Sequence, residues 1–199
     1  MNPKEKSETL FISIPKTGTN TVHALMRTCN FNHLKSKMIL SIMGEEKFKE
    51  KASFCFIRKP NDLVKSWYFY HKFSPNVIRK EVKGFYPDSF EEWCFDMKFK
   101  THWEDQTHKK HNPHWDLSSP LFQKDWVCDE RGDVIVQNIY KFDNFNKVLK
   151  NLFNRPVPVK NKSEKNKYNI TRECQEKMED TWREDMIFYE SIYNMIEYI

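Results

Sequence analysis

The chain has 199 residues, with 33 Lys and Arg against 28 Asp and Glu and a formal net charge of +5. That length suits a single domain, 1–199, and the mild, dispersed basic excess suits a small anionic ligand while arguing against nucleic acid. No run approaches the roughly 18 apolar residues of a membrane span, and residues 1–8 read as a polar, flexible N-terminus without a secretory signal or anchor, so a soluble or cytoplasmic protein is expected.

Leu10-Phe11-Ile12-Ser13-Ile14 is an apolar run that reads as a buried strand, and Val22 to Met26 reads as the helix after it. A polar connection with His33, Lys35 and Lys37 follows, then a short helix and the charged stretch Glu45 to Lys51. Ala52 to Ile57 reads as a second buried strand that ends at Arg58-Lys59-Pro60. Pro60 suits the first turn of a helix carrying Leu63, Val64, Trp67, Tyr68, Tyr70 and His71. Residues 73–133, rich in aromatics, His and Pro, predict short helices and loops, with Asp88 or Ser89 capping a helix through Trp93. A turn at Asp129 to Asp133 leads into a third strand, Val134 to Tyr140. Asp143 or Asn144 can then cap a helix through Phe153, and Pro156 and Pro158 mark an extended link to a basic loop, Lys160 to Asn169. The repeat of Cys174, Met178, Trp182, Met186, Tyr189, Tyr193 and Ile196 predicts one amphipathic helix from Thr171 to Ile199. Strands alternating with helices predict an α/β fold with a mainly parallel sheet, whose ligands bind beyond the strand C-termini.

Pro15-Lys16-Thr17-Gly18-Thr19-Asn20-Thr21 falls at such an end. A strand, a tight turn with one glycine and a helix form an anion cradle, because the first amides of the helix lack intrahelical partners. Lys16 adds a point charge, Thr17, Thr19 and Thr21 add hydroxyls, and Gly18 permits close approach. The ATP-type P-loop does not fit. Ser13 stands where its first glycine belongs, and the lysine precedes the glycine instead of following it. Arg58 ends the second strand and Ser66 lies eight residues on, so a turn between them allows both to converge on a second anion. The five cysteines are scattered without a Cys-x2-Cys pair, which argues against a zinc knuckle or a disulfide framework and for a reducing compartment.

Pro-Lys-Thr-Gly-Thr resembles the 5′-phosphosulfate loop of the sulfotransferases that use 3′-phosphoadenosine 5′-phosphosulfate (PAPS), and Arg-x7-Ser resembles their 3′-phosphate motif. From about Leu10 to Tyr189 the chain resembles the carbohydrate sulfotransferases, in the branch that includes the heparan sulfate 2-O-sulfotransferases. Asn112-Pro113-His114-Trp115, Tyr140 to Phe145, and Asn161-Lys162-Ser163 with Tyr168 resemble further family segments, as does the C-terminal helix with Asp185 and Phe188. The segment after Arg58 departs from the family pattern: Lys59 replaces Asn or Asp, and Leu63 replaces a second Arg.

The resemblance implies a P-loop-like three-layer fold, a central sheet flanked by helices, with residues 73–133 as an acceptor-side insertion. It implies sulfuryl transfer from PAPS to a hydroxyl, most naturally of a carbohydrate, with adenosine 3′,5′-bisphosphate as product and no metal. Lys16 then stabilises the bridging oxygen, residues 17–21 hold the 5′-phosphate, Arg58 and Ser66 hold the 3′-phosphate, and Lys162 and Ser163 come near the nucleotide. His33 matches the family's general base, and His114 is the next candidate. His102, His108 and His111 suggest surface or acceptor contacts, since Pro113 breaks any helix that would align a metal set. His71 reads as structural, and Trp103, Trp115 and Trp126 are candidate sugar platforms as well as core residues. A P-loop-type kinase or NTPase and a non-catalytic nucleotide-binding homologue stand as alternatives.

Overall fold

The computed structural model describes residues 9–27, 31, 33–73, 86–95, 122–158 and 170–192. It is an α/β structure with a three-stranded parallel sheet in the order β1 (Thr9–Phe11), β2 (Ala52–Ile57), β3 (Asn138–Lys141). Among the described residues the helices are α1 (Thr19–Met26), α2 (Ser36–Met43), α3 (Glu45–Lys49), α4 (Pro60–Phe73), α5 (Phe90–Phe95), α6 (Lys124–Val127), α7 (Phe145–Phe153), α8 (Arg172–Thr181) and α9 (Arg183–Ser191), with a 3-10 turn at Phe142–Asn144.

Two compact units divide the chain: Met1–Lys59 with Phe122–Lys162 and Phe188–Ile199, and Pro60–Leu121 with Ser163–Ile187. The first unit holds the sheet. β1 aligns Phe11 with Phe54, and β2 aligns Phe56 with Tyr140 and Ile57 with Lys141. Phe11, Phe54 and Phe56 share one face with Val22, Leu25 and Met26 of α1 and Leu149 and Phe153 of α7. Burial of each such side chain contributes about 1.5–3 kcal/mol. Ile12, Cys55 and Ile57 alternate to the other face and are also fully buried. Burial on both faces is the reason parallel strands read as unbroken apolar runs.

Two predicted elements end elsewhere. The first strand stops at Phe11, although Ile12 N–H still donates to Phe54 O at 2.8 Å. Ile14 N–H then donates back to Ile12 O at 3.1 Å, so the chain curls before the run of apolar residues is over. The third strand starts at Asn138 and not at Val134. Val134 forms an antiparallel bridge with Cys128, and Ile135 N–H donates to Val127 O at 2.9 Å, so this apolar stretch finds its partner in the segment after α6. Asp129 Oδ1 closes the intervening turn by accepting from the amides of Arg131 and Asp133.

The second unit is built on aromatic contacts. Trp67 Nε1 donates to the Tyr86 hydroxyl at 2.7 Å, and Tyr68 sits against Tyr86, Phe90 and Trp93. His71 stacks on Tyr86 with its Nδ1 2.9 Å from Trp67 O, the structural role its sequence context predicts. Ser89 Oγ accepts from Glu92 N–H at the start of α5, as predicted. The predicted C-terminal helix is two helices, because Trp182 leaves helical geometry between them (φ −104°, ψ 24°). Its last residues, 193–199, lie outside the described set. Among the described residues no helix is long and apolar enough to cross a membrane. Cys55, Cys94, Cys128 and Cys174 are free thiols.

Candidate functional site

β1 and β2 run parallel, so the loop after β1 and Arg58 after β2 emerge at the same, C-terminal end of the sheet. Between Ile14 and α1 the backbone takes left-handed conformations at Lys16 (φ 66°) and Gly18 (φ 84°). A left-handed lysine is strained by about 1–2 kcal/mol, a feature that concentrates at functional sites. The first α1 bonds run from Thr21 and Val22 N–H to Gly18 O, so the amides of Gly18, Thr19 and Asn20 precede the helical ladder. α1 has eight residues, and the positive end of its dipole adds to these amides.

The Thr17 and Thr19 hydroxyls are engaged within the loop itself. Thr17 Oγ1 and Thr19 Oγ1 both donate inward to Ile14 O, at 2.8 and 3.1 Å, and both residues are buried. They brace the loop, which leaves the backbone amides, Lys16 and the exposed Asn20 as its candidate anion-binding groups. The close approach at Gly18 is also explained differently: a Cβ there would collide with the Phe145 ring and come within 3.1 Å of Phe142.

Electrostatics tie three predicted residues together. Burial, with the Arg58 charge as a second cause, lowers the Lys16 pKa to about 7. Burial also lowers the His33 pKa to about 4, opposed by its bond to the Ser13 backbone and reinforced by the charges of His23 and Lys16. His33 Nδ1 lies 2.8 Å from Ser13 O. A carbonyl can only accept, so Nδ1 carries the proton and Nε2 carries the lone pair. Ser13 Oγ is 3.3 Å from the same nitrogen and donates to Thr19 Oγ1 at 3.2 Å, which links the histidine to the cradle. His33 is thus neutral near pH 7, in the tautomer a base requires.

Arg58 lies with its guanidinium 5.2 Å from the centre of the Phe142 ring, and Phe142 packs on Phe145 at 4.8 Å. The segment after β3 therefore meets both Gly18 and Arg58. Ser66 is half-buried on α4 in the second unit. His114, Lys162 and Ser163 lie outside the described residues, as do Trp103, Trp115 and the His102, His108 and His111 set. Trp126 is 6% exposed with Lys35 Nζ 5.5 Å from its ring centre, so it is a core residue and offers no platform to a sugar. No group of three or more His, Cys, Asp or Glu that could hold a metal ion occurs among the described residues.

The sequence reading missed Ser13, Phe142 and Gln123 as individual site residues. Ser13 had a signal, a polar residue inside an apolar strand. Gln123, which hydrogen-bonds the Arg58 backbone, sits in a stretch without periodicity and had none. No protein-family model, no curated protein and no solved structure matches the chain.

Proposed function

We propose that this protein is a PAPS-dependent sulfotransferase that moves a sulfuryl group to a hydroxyl of a carbohydrate or similar acceptor. The observation that carries the reading is the pairing of Lys16 with Arg58: two cations in the segments that follow adjacent parallel strands, close enough for one to lower the other's pKa. Their mutual repulsion is relieved by an anion, and a nucleotide phosphorylated at both 3′ and 5′ positions supplies two phosphates. The lysine-before-glycine order supports this over the ATP-type P-loop, and the sheet is then the centre of a P-loop-like three-layer fold.

The bound donor supplies an activated sulfuryl group for in-line displacement, in which positioning and charge stabilisation dominate. The amides of Gly18, Thr19 and Asn20 hold the 5′-phosphate, and Arg58 holds the 3′-phosphate. Ser66, Thr21, Lys162 and Ser163 join the nucleotide site on sequence resemblance alone. Lys16 stabilises negative charge at the bridging oxygen. His33 Nε2 takes the acceptor proton while Ser13 O steadies Nδ1–H, and the resulting imidazolium gains stability from the anion beside Lys16.

Thermal shift with adenosine 3′,5′-bisphosphate against ATP-Mg tests the reading. Stabilisation by the bisphosphate at lower concentration is expected. Preference for ATP-Mg, or no response to the bisphosphate, would replace it with the kinase alternative or with neither.

A further inference from the structure

Gln123 is 1% exposed, and both ends of its carboxamide go to Arg58. Arg58 N–H donates to Gln123 Oε1 at 2.7 Å, and Gln123 Nε2 donates to Arg58 O at 2.7 Å. Only one orientation of the amide satisfies both bonds, since a flipped group would face donor with donor. The place in the sheet explains the arrangement. Along a parallel strand alternate residues turn both backbone groups to the same neighbour. Phe54 O accepts from Ile12 N–H on the β1 side, so Arg58 also turns to that side, where β1 has ended at Phe11 and the chain has curled away. Gln123 supplies, from a side chain, the pair of bonds that a continued strand would have made. At the other end of the residue, Phe142 holds the guanidinium.

We infer that Gln123 is a positioning residue that fixes the Arg58 backbone so that its guanidinium selects a 3′-phosphorylated nucleotide. This rests on the proposed nucleotide site. Gln123 touches no ligand in this account; it acts by denying Arg58 the backbone freedom that would otherwise be lost on binding. The chemistry is specific to a carboxamide. An ionised glutamate would accept from Arg58 N–H but set its second oxygen against Arg58 O, whereas a protonated glutamate restores the donor.

The test is calorimetric affinity for adenosine 3′,5′-bisphosphate and for adenosine 5′-phosphate, expressed as a ratio and normalised to wild type at each pH. In Gln123→Ala the ratio is expected to fall about tenfold, the scale of two lost neutral hydrogen bonds. In the near-isosteric Gln123→Glu it is expected to fall at pH 8 and recover at pH 5, a reversal that a merely structural role would not produce. Should the alanine variant fail to fold, the glutamate variant alone carries the test. Ratios that match wild type in every folded variant, or a Gln123→Glu ratio that ignores pH, overturn the inference while leaving the nucleotide site standing. A wild type that binds both nucleotides equally overturns the site itself.

Discussion

Lys16 joins a left-handed backbone to a charge that burial and Arg58 both disfavour. Its folded pKa of about 7 lies below the ordinary lysine value of 10.5, so between those values the unfolded chain holds a proton the folded chain lacks. Stability from this residue therefore rises with pH across that window. Anion binding has the opposite sign, because it needs the ammonium. Bisphosphate affinity is expected to fall as pH rises above about 7, and Lys16→Arg, permanently charged, should flatten that fall. Calorimetry from pH 6 to 9 checks both slopes; equal slopes in the two proteins would contradict the assignment. The His33 pKa is lowered in the same direction, so stability is lost as pH drops from 6.5 through about 4. In acceptor-sulfation assays His33→Ala should lose about 10²–10⁴ in turnover with bisphosphate affinity held, and unchanged turnover would move the base to another histidine. Gly18→Ala meets both a positive φ and the Phe145 ring. A loss of about 2–4 kcal/mol is expected in urea unfolding, and a loss under about 1 would contradict the contact.

At the scale of elements, the helix starts separate two kinds of cap. Thr171 Oγ1 accepts from Cys174 N–H at 3.3 Å, whereas Asn144 precedes α7 without a side-chain bond, and Asp143 accepts instead from the Tyr189 hydroxyl at 2.9 Å. Thr171→Ala should cost about 1 kcal/mol and exposed Asn144→Ala a few tenths. Chemical unfolding of both variants decides the ranking, and a larger loss at Asn144 would reverse it. These elements also mark what the sequence made legible. Ala52–Ile57 was legible because a strand buried on both faces is apolar along nearly its whole length, with Ser53 the exception. Val134-Ile135-Val136 carried the same signal but was satisfied by Val127 and Cys128, and periodicity has no information on which partner a strand takes. The break at Trp182 escaped because its apolar spacing continues through the kink.

For the whole molecule, the candidate site was legible where its chemistry is local and hidden where it depends on tertiary contact. The Lys16 to Gly18 order, Arg58 at a strand end and His33 in the next connection are all local signals, and Lys16 is electrostatically coupled to both of the others. The inward turn of the Thr17 and Thr19 hydroxyls, the Ser13 bond that sets the His33 tautomer and the Gln123 clamp arise only when distant segments meet. The net charge of +5 is too small to recruit an anion by itself, so affinity for the proposed nucleotide is expected to come from the Lys16 loop and Arg58. The most direct test is calorimetry of adenosine 3′,5′-bisphosphate and adenosine 5′-phosphate with wild type and Arg58→Ala. If the Lys16 loop and Arg58 are two halves of one nucleotide site, wild type prefers the bisphosphate and Arg58→Ala loses that preference while still binding the 5′-phosphate. Equal losses for both ligands, or a preference that survives without Arg58, would contradict it.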